Sequence, residues 1–390
     1  MNLQKNNWKK ARILDVCDKV ITIDYRKQKG IFCYVDIGSI NSELNRINEI
    51  QEIDWNDASS RARQVIQKND TLFSTVRVNL KRVALVENEI PNGIASTGFA
   101  VLRAKEDLIN PLFLFYNSIN PSFLDKLIQM QVGTAYPAVT EKMILSQEIL
   151  LPPLDEQQRL AELFQSIEQS IIHAEGQEQN LKLLQKSFSN ALTSNPPIFG
   201  NLLSEKNCKP CSFSDLVECI EEHNKTPLED GLTRFVGLEN IEAENFTLQG
   251  FGNITDGTTF TKQFAKGDVL FGKRRAYLKK VAVADYDGIC SSDILVFRAI
   301  EKEIMPELLP YYVSSDAFMN LAVSTSAGSL SPRTKWRDLA GFPISIPDMQ
   351  AQEEIVEVLN QLSQSLQLIG QQIETLKKLK QKLLNEILGG

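Results

Sequence analysis

Short apolar runs bounded by polar turns recur along the chain. "DTLFSTV", "RVALVE" and "FAVLRA" are brief, β-branched or aromatic, and read as strands; "DVLFG", "KVAVAD" and "DILVFRA" repeat the reading in the second half. Residues 111–130 and 306–323 carry a helical pattern. "ILLPPLDEQ" and "ISIPDMQAQ" each read as a short strand broken by proline, and a long helix follows each break. In the first helix a 3–4 spacing gives a seam of Leu160, Leu163, Ile167, Ser170, Ala174, Gln177, Leu181, Leu184, Phe188 and Ala191. In the second it gives Ile355, Val358, Leu362, Ser365, Ile369, Gln372, Leu376, Leu379, Leu383 and Glu386. Such sustained spacing predicts a coiled-coil seam. A helix over 154–192 would be about 58 Å long, wider than a small domain.

The polar interruptions coincide, Ser170 with Ser365 and Gln177 with Gln372. They are either surface residues at the edge of an imperfect heptad or a buried polar pair fixing helix–helix register. In an antiparallel pair, Ser170 would face Gln372 and Gln177 would face Ser365.

The coincidence extends to the whole chain. "KNDTLFSTVRVNLKRVALV" from Lys68 aligns with "KGDVLFGKRRAYLKKVAVA" from Lys266 at an offset of 198. Asp70 falls on Asp268, Phe73 on Phe271, Arg77 on Arg275, Lys81 on Lys279 and Val83 on Val281. After a short gap the offset holds at 195: Pro111, Tyr116, Phe123, Gly133 and Pro137 fall on Pro306, Tyr311, Phe318, Gly328 and Pro332, and Gln157 on Gln352. Upstream, "YVDIGSI" weakly matches "FVGLENI". A period this long means two copies of a domain with its connector, not a solenoid. The expected fold is α+β: two similar mixed domains joined by two long antiparallel coiled-coil helices, related by a pseudo-twofold repeat. The expected boundaries are 1–150 and 208–345 for the two mixed domains, 151–195 and 346–390 for the helical regions, and 196–207 for a Pro/Asn/Gly-rich linker.

Composition narrows the function. With 390 residues, 43% hydrophobic and 23% charged, the chain can bury two or three domain cores. No apolar run nears the ~18–20 residues of a membrane span. "MNLQKNNWKK" lacks a signal-peptide apolar stretch, and the six cysteines form no even framework. A cytoplasmic location is expected. Only His173 and His223 are available to histidine chemistry. The net charge of −7 argues against a nonspecific nucleic-acid coat, not against local basic patches.

"KGDVLFGKRRAYLKKVAVADYDGICSSDILVFRA", its twin, and "LPPLDEQQRLAELF" together resemble the specificity subunit of type I restriction–modification enzymes. The resemblance covers nearly the whole chain; its most specific element is the repeated strand–proline–glutamine–long-helix junction. Ala351 stands where the first copy has Glu156, a slight departure. The resemblance implies a non-catalytic subunit of a phage-defence complex. Each domain would read one half of a bipartite, asymmetric double-stranded DNA target. The paired helices would set the gap and dock two methyltransferase subunits, with motor–nuclease restriction subunits joining that core. S-adenosylmethionine, ATP and Mg²⁺ would be bound by those partners and no cofactor by this chain.

The residues suggest where DNA would lie. Arg77, Lys81 and Arg82 match Arg275, Lys279 and Lys280, and the second copy adds Lys273 and Arg274. A second cluster after the Gly–x–x–x–Pro step holds Arg333, Lys335, Trp336 and Arg337, with Tyr136, Thr140 and Lys142 as counterparts. Shared cations suit phosphate contacts, and unshared side chains in matching loops suit base reading. The bland alternative is a set of solvated faces. The rival function is a protein adaptor with two globular modules on a coiled-coil spacer; a self-contained modification enzyme would need a cofactor loop that the sequence lacks.

Other motifs carry less. "GDVLFGKR" begins like a phosphate-binding loop, but Arg274 replaces the Mg²⁺-holding Ser or Thr and the twin lacks the glycines and lysine. "NPPI" resembles the N-P-P-aromatic signature of adenine methyltransferases but has Ile198 in the aromatic place. Cys208, Cys211, Cys219 and His223 lack diagnostic zinc spacing, so no metal is expected. His173 reads as a helix-flank residue.

Overall fold

The computed structural model describes residues 5–133, 137–194, 197, 199 and 207–389. It divides into two compact units, Met1–His173 with Gln372–Gly390, and Ala174–Gln371. Each unit takes part of both long helices.

In unit 1 an antiparallel sheet is ordered Cys17–Asp18, Phe99–Ala104, Thr71–Ser74, Val83–Leu85. A second sheet is ordered Gln51–Asp54, Ile31–Val35, Gly93–Ser96, Ala62–Val65, and its central pair is parallel. Unit 2 repeats both. Its first sheet runs Val217–Ile220, Ile294–Ala299, Val269–Gly272, Val281–Val283, and its second Gly252–Asn253, Arg234–Val236, Gly288–Cys290, Lys262–Phe264, again with a parallel central pair. A two-stranded ribbon closes each unit, Lys9–Arg12 with Glu148–Leu151 and Cys208–Ser212 with Pro343–Pro347. The duplication read from the sequence therefore holds for both four-stranded sheets and the ribbon, while the small pair Ile40–Asn41 with Arg46–Ile47 is found in unit 1 alone among the described residues.

The continuous apolar runs follow from this layering. Strand side chains alternate between faces, and the first sheet is covered on both. In unit 1, Phe73, Ala100 and Leu102 face the helices, while Leu72, Phe99 and Val101 face the second sheet. In unit 2, Phe271, Leu295 and Phe297 face the helices, while Leu270, Ile294 and Val296 face the second sheet. The helices Pro111–Ser118 and Pro121–Gln129 each start at an asparagine cap followed by proline, with Asn110 accepting from the Phe113 N–H and Asn120 from the Ser122 N–H.

The long helices are Leu154–Leu192 and Met349–Leu383, the second ending in a wider π-helical turn at Leu384–Leu388. The glutamine of each junction explains why the motif recurs. Gln157 donates to the carbonyls of Leu108 and Pro152, 3.1 and 2.9 Å, and accepts from the Asn110 N–H at 2.9 Å. Gln352 donates to Glu303 and Pro347 at 3.1 and 3.0 Å and accepts from the Met305 N–H at 2.8 Å. Both are buried, so every donor and acceptor must find such a partner.

Within each unit the long-helix segments lie antiparallel. In unit 1, Leu160 and Phe164 share a core with Leu384, Ile387 and Leu388, and Glu168 meets Lys380 at 2.5 Å. In unit 2, Phe188 and Leu192 share a core with Ile355, Val356 and Leu359.

The seam corrects the sequence reading. Its second position lies four residues after the first, not three: Phe164, Ile171, Leu359 and Ile373 are buried, as are Leu160, Ile167, Ile355 and Ile369. Ser170, Gln177, Ser365 and Gln372 are exposed, and the two serine hydroxyls donate to Ser166 and Gln361 of their own helices. They pin no register. Glu168 makes a polar link between the helices in unit 1: it accepts from Tyr116 at 2.9 Å and pairs with Lys380.

Candidate nucleic-acid interface

The strongest local feature is one loop built twice. Residues 77–81 form a 3₁₀ turn (Val78–Leu80) between two left-handed residues, Arg77 at φ 50° and Lys81 at φ 52°. Residues 275–279 do the same around Ala276–Leu278, with Arg275 at φ 53° and Lys279 at φ 50°. Left-handed backbone costs an ordinary L-residue about 1–2 kcal/mol. Four cations hold it where glycine would be relaxed. Such strain persists where the surroundings over-determine it, and it clusters at ligand-binding positions.

The surroundings are also duplicated. The Arg77 N–H donates to the Pro137 carbonyl at 2.7 Å, and the Arg275 N–H to the Pro332 carbonyl at 2.8 Å. Gly133 and Gly328, at φ 105° and 117°, open the loops that carry those prolines. Single β-bridges join Val76 to Ala138 and Arg274 to Arg333. In each unit, then, the segment of the first cationic cluster is tied to the segment that leads into the second. At the far end of the same strands from the loops, Arg103 forks onto Asp70 and Arg298 onto Asp268, with closest approaches of 2.7 Å.

The individual candidates now separate. Arg77, Lys81 and Arg275 are exposed on the loops, and Arg275 also reaches the Leu330 carbonyl at 3.4 Å. Lys279 is half-buried and pairs with Asp316 at 3.0 Å. Lys142, Lys335 and Arg337 are exposed, Arg337 lying 3.4 Å from Asp338. Lys273 is half-buried in the strand edge. Asp293 sits between Arg333 at 2.6 Å and Arg274 at 3.5 Å. The Arg333 hydrogen bonds hold the Asp293 carboxyl below its ordinary range, and the charge of Arg333 and Arg274 adds to that.

Four candidates have structural work that already explains them. Arg82 donates to the Ile37 carbonyl at 2.7 Å and Lys280 to the equivalent Leu238 carbonyl at 2.6 Å, so this matched pair is a clamp between the sheets. Thr140 caps the helix Glu141–Leu145 by accepting from the Met143 N–H at 3.2 Å. Trp336 packs on Phe213 and Phe297 at the edge of the core, ring centroids 5.8 and 5.6 Å away. Tyr136 lies outside the described residues.

One cationic patch escaped the sequence reading. Arg26 and Arg63 lie 5.9 and 5.8 Å from the Tyr25 ring, Arg26 also pairing with Asp24 at 3.0 Å, and Lys27 and Lys29 are exposed in the same segment as Tyr25. The signal was the run "YRKQKG", but its twin "TPLEDG" is acidic, so a search for shared positions passes over it.

Most of the "NPPI" run and of the 196–207 linker lies outside the described residues. Val269–Gly272 is a central sheet strand followed by no phosphate-cradling helix. Among the described residues no group of His, Cys, Asp and Glu could hold a metal ion. Burial pushes the Cys219 thiol up to about 11. No helix among the described residues is long and apolar enough to cross a membrane.

The model of the type I restriction modification DNA specificity domain matches residues 5–183 and again 210–378. The chain belongs to this family. Its relatives include the type I restriction enzyme EcoDI specificity subunit of Escherichia coli, 30% identical over 150 residues. That match spans 38% of the chain but only 33% of the relative's length. The MjaVIII specificity subunit of Methanocaldococcus jannaschii is 22% identical over 84% of the chain and 80% of the relative. Two solved structures share the fold of this family member over its length. One, from work on assembly and conformational transition of the type I R-M system, covers 97% of both chains with TM-score 0.62 at 23% identity. The other, the type I restriction-modification S subunit of M. genitalium, covers 100% of this chain and 98% of its own, with TM-score 0.58 at 14% identity.

Proposed function

We propose that this chain is the specificity subunit of a type I restriction–modification enzyme. It binds double-stranded DNA at a bipartite, asymmetric target, one unit per half-site. It holds two methyltransferase subunits over those half-sites and carries the restriction subunits with them, in the cytoplasm. The observation that carries the reading is the doubled cationic loop: the same strained backbone and the same flanking Arg and Lys, in two units of an acidic chain. Shared cations give contacts to phosphate that do not depend on sequence, and differences between the units give the two halves different bases to read.

On this reading the chain performs no turnover. S-adenosylmethionine, ATP and Mg²⁺ act in the partner subunits. Family membership and the layered fold support this.

The test is methylome sequencing of cells expressing this chain with its cognate methyltransferase. A modified motif in two unequal halves with a fixed gap is the expected result. A continuous motif, or modification unchanged when this chain is omitted, would overturn the reading.

A further inference from the structure

The doubled loop can be compared with itself position by position. The backbone hydrogen bonds that close the turn are the same in both units: the Leu80 and Leu278 N–H donate to the Arg77 and Arg275 carbonyls, each at 2.8 Å, and the Lys81 and Lys279 N–H to the Val78 and Ala276 carbonyls at 2.8 and 2.9 Å. The flanking cations are the same residue types, although Lys279 is half-buried and pairs with Asp316 where Lys81 is exposed. Val78 and Ala276 are buried. Leu80 and Leu278 are the same residue, similarly exposed at 43% and 41%. The remaining position is Asn79 in one unit and Tyr277 in the other, both exposed. Among the described residues, neither side chain has a hydrogen-bond partner or a ring contact.

Two copies that read different bases must differ where they touch them. Residues held in common cannot tell the half-sites apart. The turn offers one exposed difference, at its apex, between cations suited to phosphate. Asn79 presents an amide whose acceptor and donor match the major-groove edge of adenine; Tyr277 presents one hydroxyl and a ring face. We propose that Asn79 and Tyr277 are specificity-determining residues, each contacting base edges in the half-site of its own unit. This rests on the DNA-reading function above and assigns the reading to one position in each unit.

The experiment uses the chain assembled with its methyltransferase, comparing wild type with N79A, N79Y, Y277A and Y277N. It reads methylomes and selection of duplexes from a randomised library by the purified complex. The wild type tests the function itself: without a divided motif from the wild type, the proposed function fails, whatever the variants do. Given that motif, N79A and N79Y should change or relax base preference in one half-site only, by roughly tenfold to hundredfold at the affected base. Y277A and Y277N should do so in the other half-site only. The gap and the untouched half should stay as in the wild type. Variants that select and modify the wild-type motif unchanged would overturn the proposal. So would a uniform loss of binding across all sequences in both variants at a position, which marks a phosphate or structural contact.

Discussion

The four loop cations are the residues where stability and binding pull apart. Glycine at position 81 or 275 would relax a left-handed backbone that lysine and arginine occupy at a cost. Lys81→Gly and Arg275→Gly should each leave the unfolding free energy unchanged or raise it by up to about 1 kcal/mol. Each should also weaken DNA binding severalfold. Denaturant unfolding and binding titrations at one salt concentration check both halves of this. The opposite is expected at the junction glutamine, whose three hydrogen bonds are made in the core. Gln157→Leu strands the Asn110 N–H and two carbonyls and should cost about 2–4 kcal/mol in the same unfolding assay. Acid should act through Asp293. Its folded pKa lies below the ordinary 3.8, so its contribution is present above that value and is lost as pH falls through the folded pKa. Asp293→Asn should remove that part of the acid sensitivity below about pH 4, read from unfolding midpoints across a pH series. The glutamine was legible in the sequence because it stands at a fixed distance from a strand-ending proline in both copies. The left-handed cations were not: the residues were visible as matched charges, but the Arg77 and Arg275 N–H groups are held by the Pro137 and Pro332 carbonyls of a loop distant in sequence.

Among the elements, the long helices show what a periodic pattern leaves open. Leu163, Leu184, Val358 and Leu379 are apolar at the three-residue step, while Phe164, Ile171, Leu359 and Ile373 are apolar at the four-residue step. Either stripe satisfies a heptad, and the choice is made by the face each unit turns to the helix. Tyr116 shows this directly: its ring packs on Phe164, centroids 4.9 Å apart, and its hydroxyl reaches Glu168. The corrected seam separates two neighbours sharply. Ile171→Ala should cost about 2–5 kcal/mol, whereas Ser170→Leu should stay within about 0.5 kcal/mol of wild type. Similar costs for the two would return the seam to its first reading. The second sheet of each unit was mostly hidden for another reason. Strands such as Gln51–Asp54 and Lys262–Phe264 are short and polar, and only their pairing with Ile31–Val35 or Gly288–Cys290 makes them strands.

For the whole molecule the sign of the charge is the test. A chain of net charge −7 repels DNA on average, so binding must come from a few cations placed where phosphates lie. Each phosphate neutralised contributes about −0.9 to the slope of log affinity against log salt. If Arg77, Lys81, Arg275 and Lys279 each neutralise one, their share of the slope is roughly −3.6, or about a hundredfold loss between 50 and 200 mM salt. Replacing all four with glutamine should flatten the slope by that amount and leave the preferred motif unchanged at low salt, since these residues position without reading. Replacing Arg26, Lys27 and Lys29 alone should flatten it by up to about 2.7. Only unit 1 carries that patch; the matching segment of unit 2 holds Glu229 and Asp230. The half-site read by unit 1 should therefore be the more salt-sensitive of the two, measured by titrating duplexes with one half-site scrambled. An adaptor that joins proteins would give neither slope nor asymmetry, because its acidic surface would meet DNA with repulsion at every salt concentration.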